Sequence, residues 1–313
     1  MNEDKIIRCI TSDGAVMAAA VDTSNLVYTA SKVHLTSAVG SAALGRLLTA
    51  ASIMGAQLKQ DNASITLRIN GNQSETGAII AVSDSRGNVR GYLQNPDCPT
   101  EYYENGKINV AKAVGKTGVL NVMKDYGTGE PYIGMVELVS GEIAEDITNY
   151  YASSEQIPTV CALGVLLDKR NHEVLLAGGL LIQLLPGADE TTIDKIEENV
   201  SKLEPMTTML AKGMSIREIC EKALDGFQVE VLDEMPIHYA CTCSREKVIN
   251  AFITLPEDEI RSMADEKGYA EALCHFCKKR YRFSKLQLEQ IIKERKNNKT
   301  DTAQDKTNET AEV

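Results

Sequence analysis

Four of the eight cysteines in this 313-residue chain fall into two close pairs. Cys241 and Cys243 flank Thr242, Cys274 and Cys277 flank His275-Phe276, and thirty residues separate the pairs. Two tight turns that each offer two thiolates, joined by a loop able to fold back, match the spacing of a structural four-thiolate zinc site. Four unrelated buried thiols would not be expected to pair in this way. His238 and His275 adjoin the pairs and could ligate. Four cysteines complete the set without them, so both read as surface residues or residues behind the ligands. A bond between Cys241 and Cys243 would close a small, constrained ring, which suits a reversible switch better than a permanent staple. Arg245, Lys278, Lys279 and Arg280 lie close in sequence and favour the nucleophilic thiolate, so oxidant attack followed by zinc loss is chemically reasonable.

The other reactive side chains build no second site. Gly115-Lys116-Thr117 has the ending of a phosphate-binding loop, but that motif needs a glycine five residues earlier, where Val110 stands. There is no G-x-S-x-G elbow, and the four histidines are isolated, which excludes the usual hydrolytic triads. His34 and His172 read as surface or capping residues. Cys9, Cys161 and Cys220 sit in apolar runs and read as core. Cys98, in Asn95-Pro96-Asp97-Cys98-Pro99, lies on a loop and could react, although no nearby residue visibly lowers its pKa. The expectation is a protein that is not an enzyme.

The elements around the cysteines divide into distinct packing units. All four Phe residues follow position 226 and there is no Trp, so the earlier part of the chain must build its core from aliphatic side chains. Residues 6–22 read as a hairpin turning at Asp13-Gly14. Thr36 to Leu58 is rich in Ala, Ser and Gly and contains Arg46, so it reads as a buried helix and not a membrane span. Strand-like runs follow at 64–69, 77–83, 88–94, 119–123 and 134–138. A helix around 142–154 precedes two further runs at 160–167 and 174–185. This predicts an α+β fold with a largely antiparallel sheet, ending near Pro186-Gly187. Residues 188–234 read as a helical linker with narrow apolar stripes, including a capping box from Ser215 to Glu218. It is expected to lie on the sheet domain with marginal stability. Residues 235–292 hold the cysteines, with a second capping box at Ser284 and Gln287. Residues 293–313 read as a charged tail, expected to be disordered at least from Asn297 onward.

A net charge of -11 argues against general nucleic-acid binding. Residues 278–299 are locally basic, however, with nine Lys/Arg against two Glu. The start, Met1-Asn2-Glu3-Asp4, is acidic and no apolar run follows, so a cytoplasmic, reducing location is expected.

Together these features resemble the redox-regulated chaperone of the 33-kDa heat-shock protein (33 kDa chaperonin) family. The resemblance rests on the C-x-C and C-x-x-C set, on the run from Tyr150 to Thr159 (YYASSEQIPT), and on Gly178-Gly179-Leu180-Leu181-Ile182-Gln183 with Leu185-Pro186-Gly187. It covers the chain to about residue 292 and carries no function onto the tail. It implies an ATP-independent holdase of the stress response that binds unfolding client proteins. In that family one Zn2+ holds the reduced form inactive. Oxidation then forms disulfides within each close pair, here Cys241–Cys243 and Cys274–Cys277. Zinc is released, switch and linker unfold, apolar surface is exposed, and a dimer with a second copy is favoured. Neither nucleic acid nor membrane is an expected partner.

Two other readings remain open at this point. A zinc-ribbon nucleic-acid binder would use the basic stretch with Tyr281 and Phe283. A thiol–disulfide oxidoreductase would use Cys274 and Cys277, but no thioredoxin-like βαβ context surrounds them.

Overall fold

The computed structural model describes residues 3–264 and 268–293. Contacts divide the chain into two units, the first ending at Ala240 and the second beginning at Cys241. The tail expected beyond Asn297 lies outside the described residues.

The first unit opens with the expected hairpin, β1 (Lys5–Thr11) and β2 (Val16–Asp22), turned at Gly14 with φ +71°. Two helices follow where the sequence suggested one: α1 (Ser24–His34) and α2 (Ala38–Ala56). The Ser37 side chain caps α2 by accepting from the Gly40 N–H. Then come β3 (Ser64–Gly71), β4 (Ile79–Asp84), β5 (Val89–Leu93), the short α3 (Val110–Val114), β6 (Gly118–Asp125) and β7 (Tyr132–Glu137). The unit continues through α4 (Ala144–Tyr150), a π-helical turn (Tyr151–Glu155), β8 (Thr159–Leu167) and β9 (Val174–Leu184). Three helices, α5 (Glu190–Ser201), α6 (Met206–Ala211) and α7 (Ile216–Ala223), lead to β10 (Val229–Pro236).

The strands form two five-stranded sheets, β10-β1-β2-β9-β8 and β5-β4-β3-β6-β7, and every ladder in them is antiparallel. The fold class is α+β, as expected. β10 lies mostly within the segment read as a helical linker, 188–234, and ends two residues beyond it. It pairs along β1 from Lys5↔Pro236 to Thr11↔Val229, and Arg8 forms an ion pair with Asp233.

α2 lies between the sheets, touching β3, β4 and β5 on one side and β8 and β9 on the other. Its composition follows from that position. At Gly45 and Gly55 on α2, and at Gly179 on β9 facing it, an added Cβ would approach a neighbouring side chain within 2.8 Å. By length and hydropathy α2 could cross a membrane, but 94% of its apolar stretch is buried inside the protein. Burying Leu44, Leu47, Leu48 and Ile53 beside Ile65, Leu67 and Ile69 builds the main core. Each such side chain stabilises the fold by about 1.5–3 kcal/mol.

The first sheet is covered on its other face as well. There Ile7, Cys9, Ala18, Ala20, Leu180 and Ile182 meet Ile196, Met206, Met209, Leu210, Ile216, Ile219 and Leu224 from the three helices and the turn that follows them. Ser215 and Glu218 form the expected capping box at the start of α7.

The second unit contains α8 (Arg245–Ile253), α9 (Glu257–Ser262), a hairpin of β11 (Tyr269–Leu273) and β12 (Arg280–Ser284), and α10 (285–293). Its core is small: Phe252, Ile260, Ala264, Ala270, Tyr281, Phe283, Leu288, Ile291 and Ile292. The expected capping box at Ser284 is present, with Ser284 N–H donating to Gln287 Oε1 (3.0 Å) and Gln287 N–H to Ser284 Oγ (3.3 Å).

Candidate metal centre

Cys241 and Cys243 lead directly into α8, whose N-terminus is capped by Ser244 through the Lys247 N–H. Cys274 and Cys277 sit on the turn of the β11–β12 hairpin. The turn is closed by Cys274 N–H donating to Lys279 O (3.0 Å) and by Lys278 N–H donating to Cys274 O (2.9 Å). Lys278 adopts φ +58°, the left-handed backbone that lets the chain reverse there. Helix start and hairpin turn together bring all four Sγ atoms within 4.8 Å of one another. The nearest approaches run between the pairs: Cys241 to Cys274 at 3.7 Å and Cys243 to Cys277 at 3.4 Å.

Four sulfurs at this spacing suit a soft, tetrahedral cation. Zn–S bonds of about 2.3 Å would place tetrahedral sulfurs roughly 3.8 Å apart. All four cysteines are partly exposed, so they could hold a metal ion and still be reached by small solutes.

Their electrostatic settings differ. Burial pushes the Cys241 thiol up to about 12. Burial also opposes ionisation at Cys243, but hydrogen bonds outweigh it, chiefly one from the Tyr281 hydroxyl, and bring that thiol down to about 7. The Tyr281 oxygen lies 3.1 Å from Cys243 Sγ. Burial raises the Cys277 thiol. Tyr281 is a site residue that sequence reading missed as such. The signal was the alternation Arg280-Tyr281-Arg282-Phe283, which places both aromatics on the inner face of β12. Arg245 braces the same region. It donates to Arg282 O (2.9 Å) and Gln287 Oε1 (3.1 Å), and its guanidinium lies over the Phe283 ring at 4.0 Å.

The remaining candidates separate clearly. His238 and His275 are not in the cluster, and the His238 backbone N–H donates to Asn88 Oδ1 at 3.1 Å. His34 is not a surface residue: it is buried, and its Nε2 lies 3.1 Å from the Tyr239 hydroxyl, which in turn donates to Gly91 O. The apolar face of α1 carries it inward. His172 is exposed in the β8–β9 turn. Cys98 is buried despite its loop position, and burial raises its pKa, so the reactivity allowed for it is not supported. Cys9 and Cys220 are buried as expected, and Cys161 is half-buried. Tyr281 and Phe283, which a nucleic-acid binder would need for stacking on bases, are buried in the second unit's core.

An α+β body whose chain continues into a compact four-cysteine module is compatible with a redox-regulated chaperone, a class without catalytic residues of the enzymatic kind. Comparison with known proteins makes the assignment specific. The family model described as "Hsp33 protein" matches residues 4–284. The chain is 46% identical over 291 residues to the 33 kDa chaperonin of Clostridioides difficile, covering 93% of this chain and 99% of that one. It is 43% identical over 288 residues to the 33 kDa chaperonin of Geobacillus kaustophilus, covering 92% and 97% respectively. The crystal structure of the 33 kDa chaperonin (heat shock protein 33 homolog) from Thermotoga maritima superposes with a TM-score of 0.86 at 33% identity, covering 95% of this chain and 100% of that chain. The chain therefore belongs to the Hsp33 family, whose members are named as chaperonins and not as enzymes. Membership in a chaperone family implies binding of unfolded client proteins.

Proposed function

We propose that this chain is a redox-regulated, ATP-independent holdase of the cytoplasm, switched by Cys241, Cys243, Cys274 and Cys277. The observation that carries the reading is the convergence of these four sulfurs within 4.8 Å in a chaperone-family chain. Bound Zn2+ would hold the four sulfurs as thiolates and tie the helix start to the hairpin turn, a role worth on the order of 10–16 kcal/mol in small modules. The second unit's core is too small to stand comfortably without that tie.

A peroxide oxidises one thiolate of a pair to a sulfenic acid and is itself reduced to hydroxide. The partner thiolate then attacks that sulfur, forming the disulfide and expelling a second hydroxide, which leaves as water on protonation. Two such reactions, at Cys241–Cys243 and at Cys274–Cys277, consume two peroxides and eliminate the ligand set. In this reading residues 1–187 are the chaperone core, 188–234 the linker, 235–292 the switch and 293–313 a tail. Unfolding of switch and linker would bare Ile7, Ala18, Ala20, Leu180 and Ile182 on the first sheet for clients and for a second copy in an oxidised dimer. We expect neither nucleic-acid nor membrane partners.

The test is a peroxide titration that follows zinc release, thiol count and light scattering of a denatured client together. Loss of four thiols with release of one zinc and onset of aggregation suppression is expected. An oxidised, zinc-free protein that suppresses aggregation no better than the reduced one would sink the proposal. Peptide mapping that found Cys241–Cys274 and Cys243–Cys277 bonds would overturn the pairing alone.

A further inference from the structure

We propose that Cys9 and Cys220 are a third redox pair, whose disulfide fastens α7 to β1 and latches the linker shut over the first sheet. The inference rests on the proposed switch, because it names a brake on the same linker.

Of the four cysteines outside the metal cluster, Cys98 meets Ser37 Oγ at 3.6 Å and Cys161 packs against the main core. Cys9 and Cys220 meet each other, thiol hydrogen-bonded to thiol across the interface between linker and sheet. Local structure places both there. Ile7 and Cys9, two apart on β1, point to the same face of the strand. In α7, Ile216, Ile219, Cys220 and Ala223 form the helical stripe that packs on β1 and β2. The two cysteines are 1% and 0% exposed. A disulfide needs thiols that already face each other on elements held in place, and sheet and helix supply them here.

The contact also gives the two thiols unlike roles. The hydrogen bond from the Cys220 thiol, with the Arg217 charge nearby, holds the Cys9 thiol below its usual range, against burial and the charges of Glu221 and Asp233. The same bond, together with burial, pushes Cys220 up. Cys9 is thus the thiolate that a peroxide oxidises to a sulfenic acid, the peroxide being reduced to hydroxide. Cys220 resolves it. Its thiol gives up a proton, its sulfur attacks that of Cys9, the S–O bond breaks, and hydroxide leaves as water. One peroxide and two thiols give one disulfide and two waters.

Burial sets the order of events. While α7 is seated, its apolar neighbours keep oxidant from the pair. Peroxide meets Cys9 when the linker lifts, and Cys220 meets the sulfenic acid when the linker settles back. The latch therefore forms on a linker that opens and recloses, and not on one held open. Once the bond is made, α7 cannot leave the sheet, whatever the state of Cys241, Cys243, Cys274 and Cys277.

The test uses the full chain, zinc-loaded and reduced, cycled between mild heat and cooling with hydrogen peroxide present. A bond from 9 to 220 encloses most of the chain, so the latched form should run faster on a non-reducing denaturing gel. Peptide mapping of that band should show Cys9 joined to Cys220, with six thiols lost, the four of the cluster and these two. Amide exchange across 216–223 should be about tenfold slower in the latched fraction than in the unlatched one, and its suppression of client aggregation weaker to match. Cys9→Ala and Cys220→Ala should each lose the fast band and keep suppressing aggregation after the same cycling. Cys9 and Cys220 still reduced after cycling would overturn the proposal. So would a joined form that exchanges and suppresses aggregation like the unjoined one. Slow exchange across 216–223 in the joined form, with no suppression by either fraction, would refute the redox-switch reading and leave the latch standing.

Discussion

Replacing Ile219 with Ala should loosen the linker without loosening the core. Ile219 is fully buried in α7, within the cluster that covers the outer face of the first sheet. α7 has only eight residues, too few for a helix to persist alone in water, so its helicity depends on burying Ile216, Ile219, Cys220 and Ala223. The substitution removes three carbons at about 0.8 kcal/mol each and leaves part of their volume empty. About 3 kcal/mol is a fair total for such a site. If the linker detaches as a separate unit, its detachment equilibrium shifts by roughly 150-fold.

The assay is amide exchange across 190–224 in the reduced, zinc-loaded protein, alongside light scattering of a denatured client. Exchange there should accelerate by about that factor, and suppression of aggregation should appear at milder heat or lower oxidant. The control is Ile69→Ala, equally buried but in β3 against α2. It should lower global stability by a similar amount and leave linker exchange unchanged relative to the global limit. If both variants accelerate 190–224 and the two sheets equally, linker and core open as one cooperative unit. Residues 188–234 would then have no lability of their own.

Three further outcomes follow from the same geometry. Tyr281→Phe removes the hydroxyl that donates to Cys243 Sγ at 3.1 Å, so Cys243 in the folded, zinc-loaded, reduced protein should be alkylated faster, because a thiolate that loses a hydrogen-bond donor is the better nucleophile; an unchanged rate refutes the assignment. A zinc chelator under reducing conditions should melt the second unit, read by far-ultraviolet circular dichroism and by loss of the ring contacts between Phe252 and Phe283, while exchange in 64–84 stays slow; a folded second unit after complete metal removal would show the tie to be dispensable. Burial raises the Asp4 carboxyl from 3.8 to about 6, against hydrogen bonds from the Asn25 and Leu26 N–H groups. Its folded pKa lies above its unfolded one, so its contribution is fully present below about 3.8 and lost as pH rises through about 6. Urea midpoints of wild type and Asp4→Asn, compared from pH 4 to 7, should diverge in that sense; parallel curves would contradict it.

The cysteine cluster was legible because each pair is local and its spacing is chemical. The cross-pair approaches, Cys241 to Cys274 and Cys243 to Cys277, depend on how α8 and the β11–β12 hairpin return, which spacing does not specify. Tyr281 and Phe283 were read by their basic neighbours as candidate stacking residues, although their period-two alternation already placed them on one strand face. β10 was absorbed into a helical segment because five of its eight residues are exposed and its pairing partner lies more than two hundred residues away in sequence. α1 escaped notice because Val27, Tyr28, Thr29 and Val33 are weak helix formers whose helicity comes from packing on β9. Tertiary context overrode propensity at both places.

The layered body gives the proposed switch a physical basis. The first sheet is buried on both faces, and its two coverings are unequal. α2 is held between two sheets and contributes to the main core along its whole length, so it cannot leave without global unfolding. α5, α6 and α7 are short, touch the sheet on one side only, and cover a face lined by small and aliphatic residues such as Ala18, Ala20 and Ile182. Detaching them would uncover that apolar face and leave the Leu44, Leu47, Ile65 and Leu67 core intact. A chaperone that must unfold part of itself and remain a folded scaffold needs this inequality between coverings.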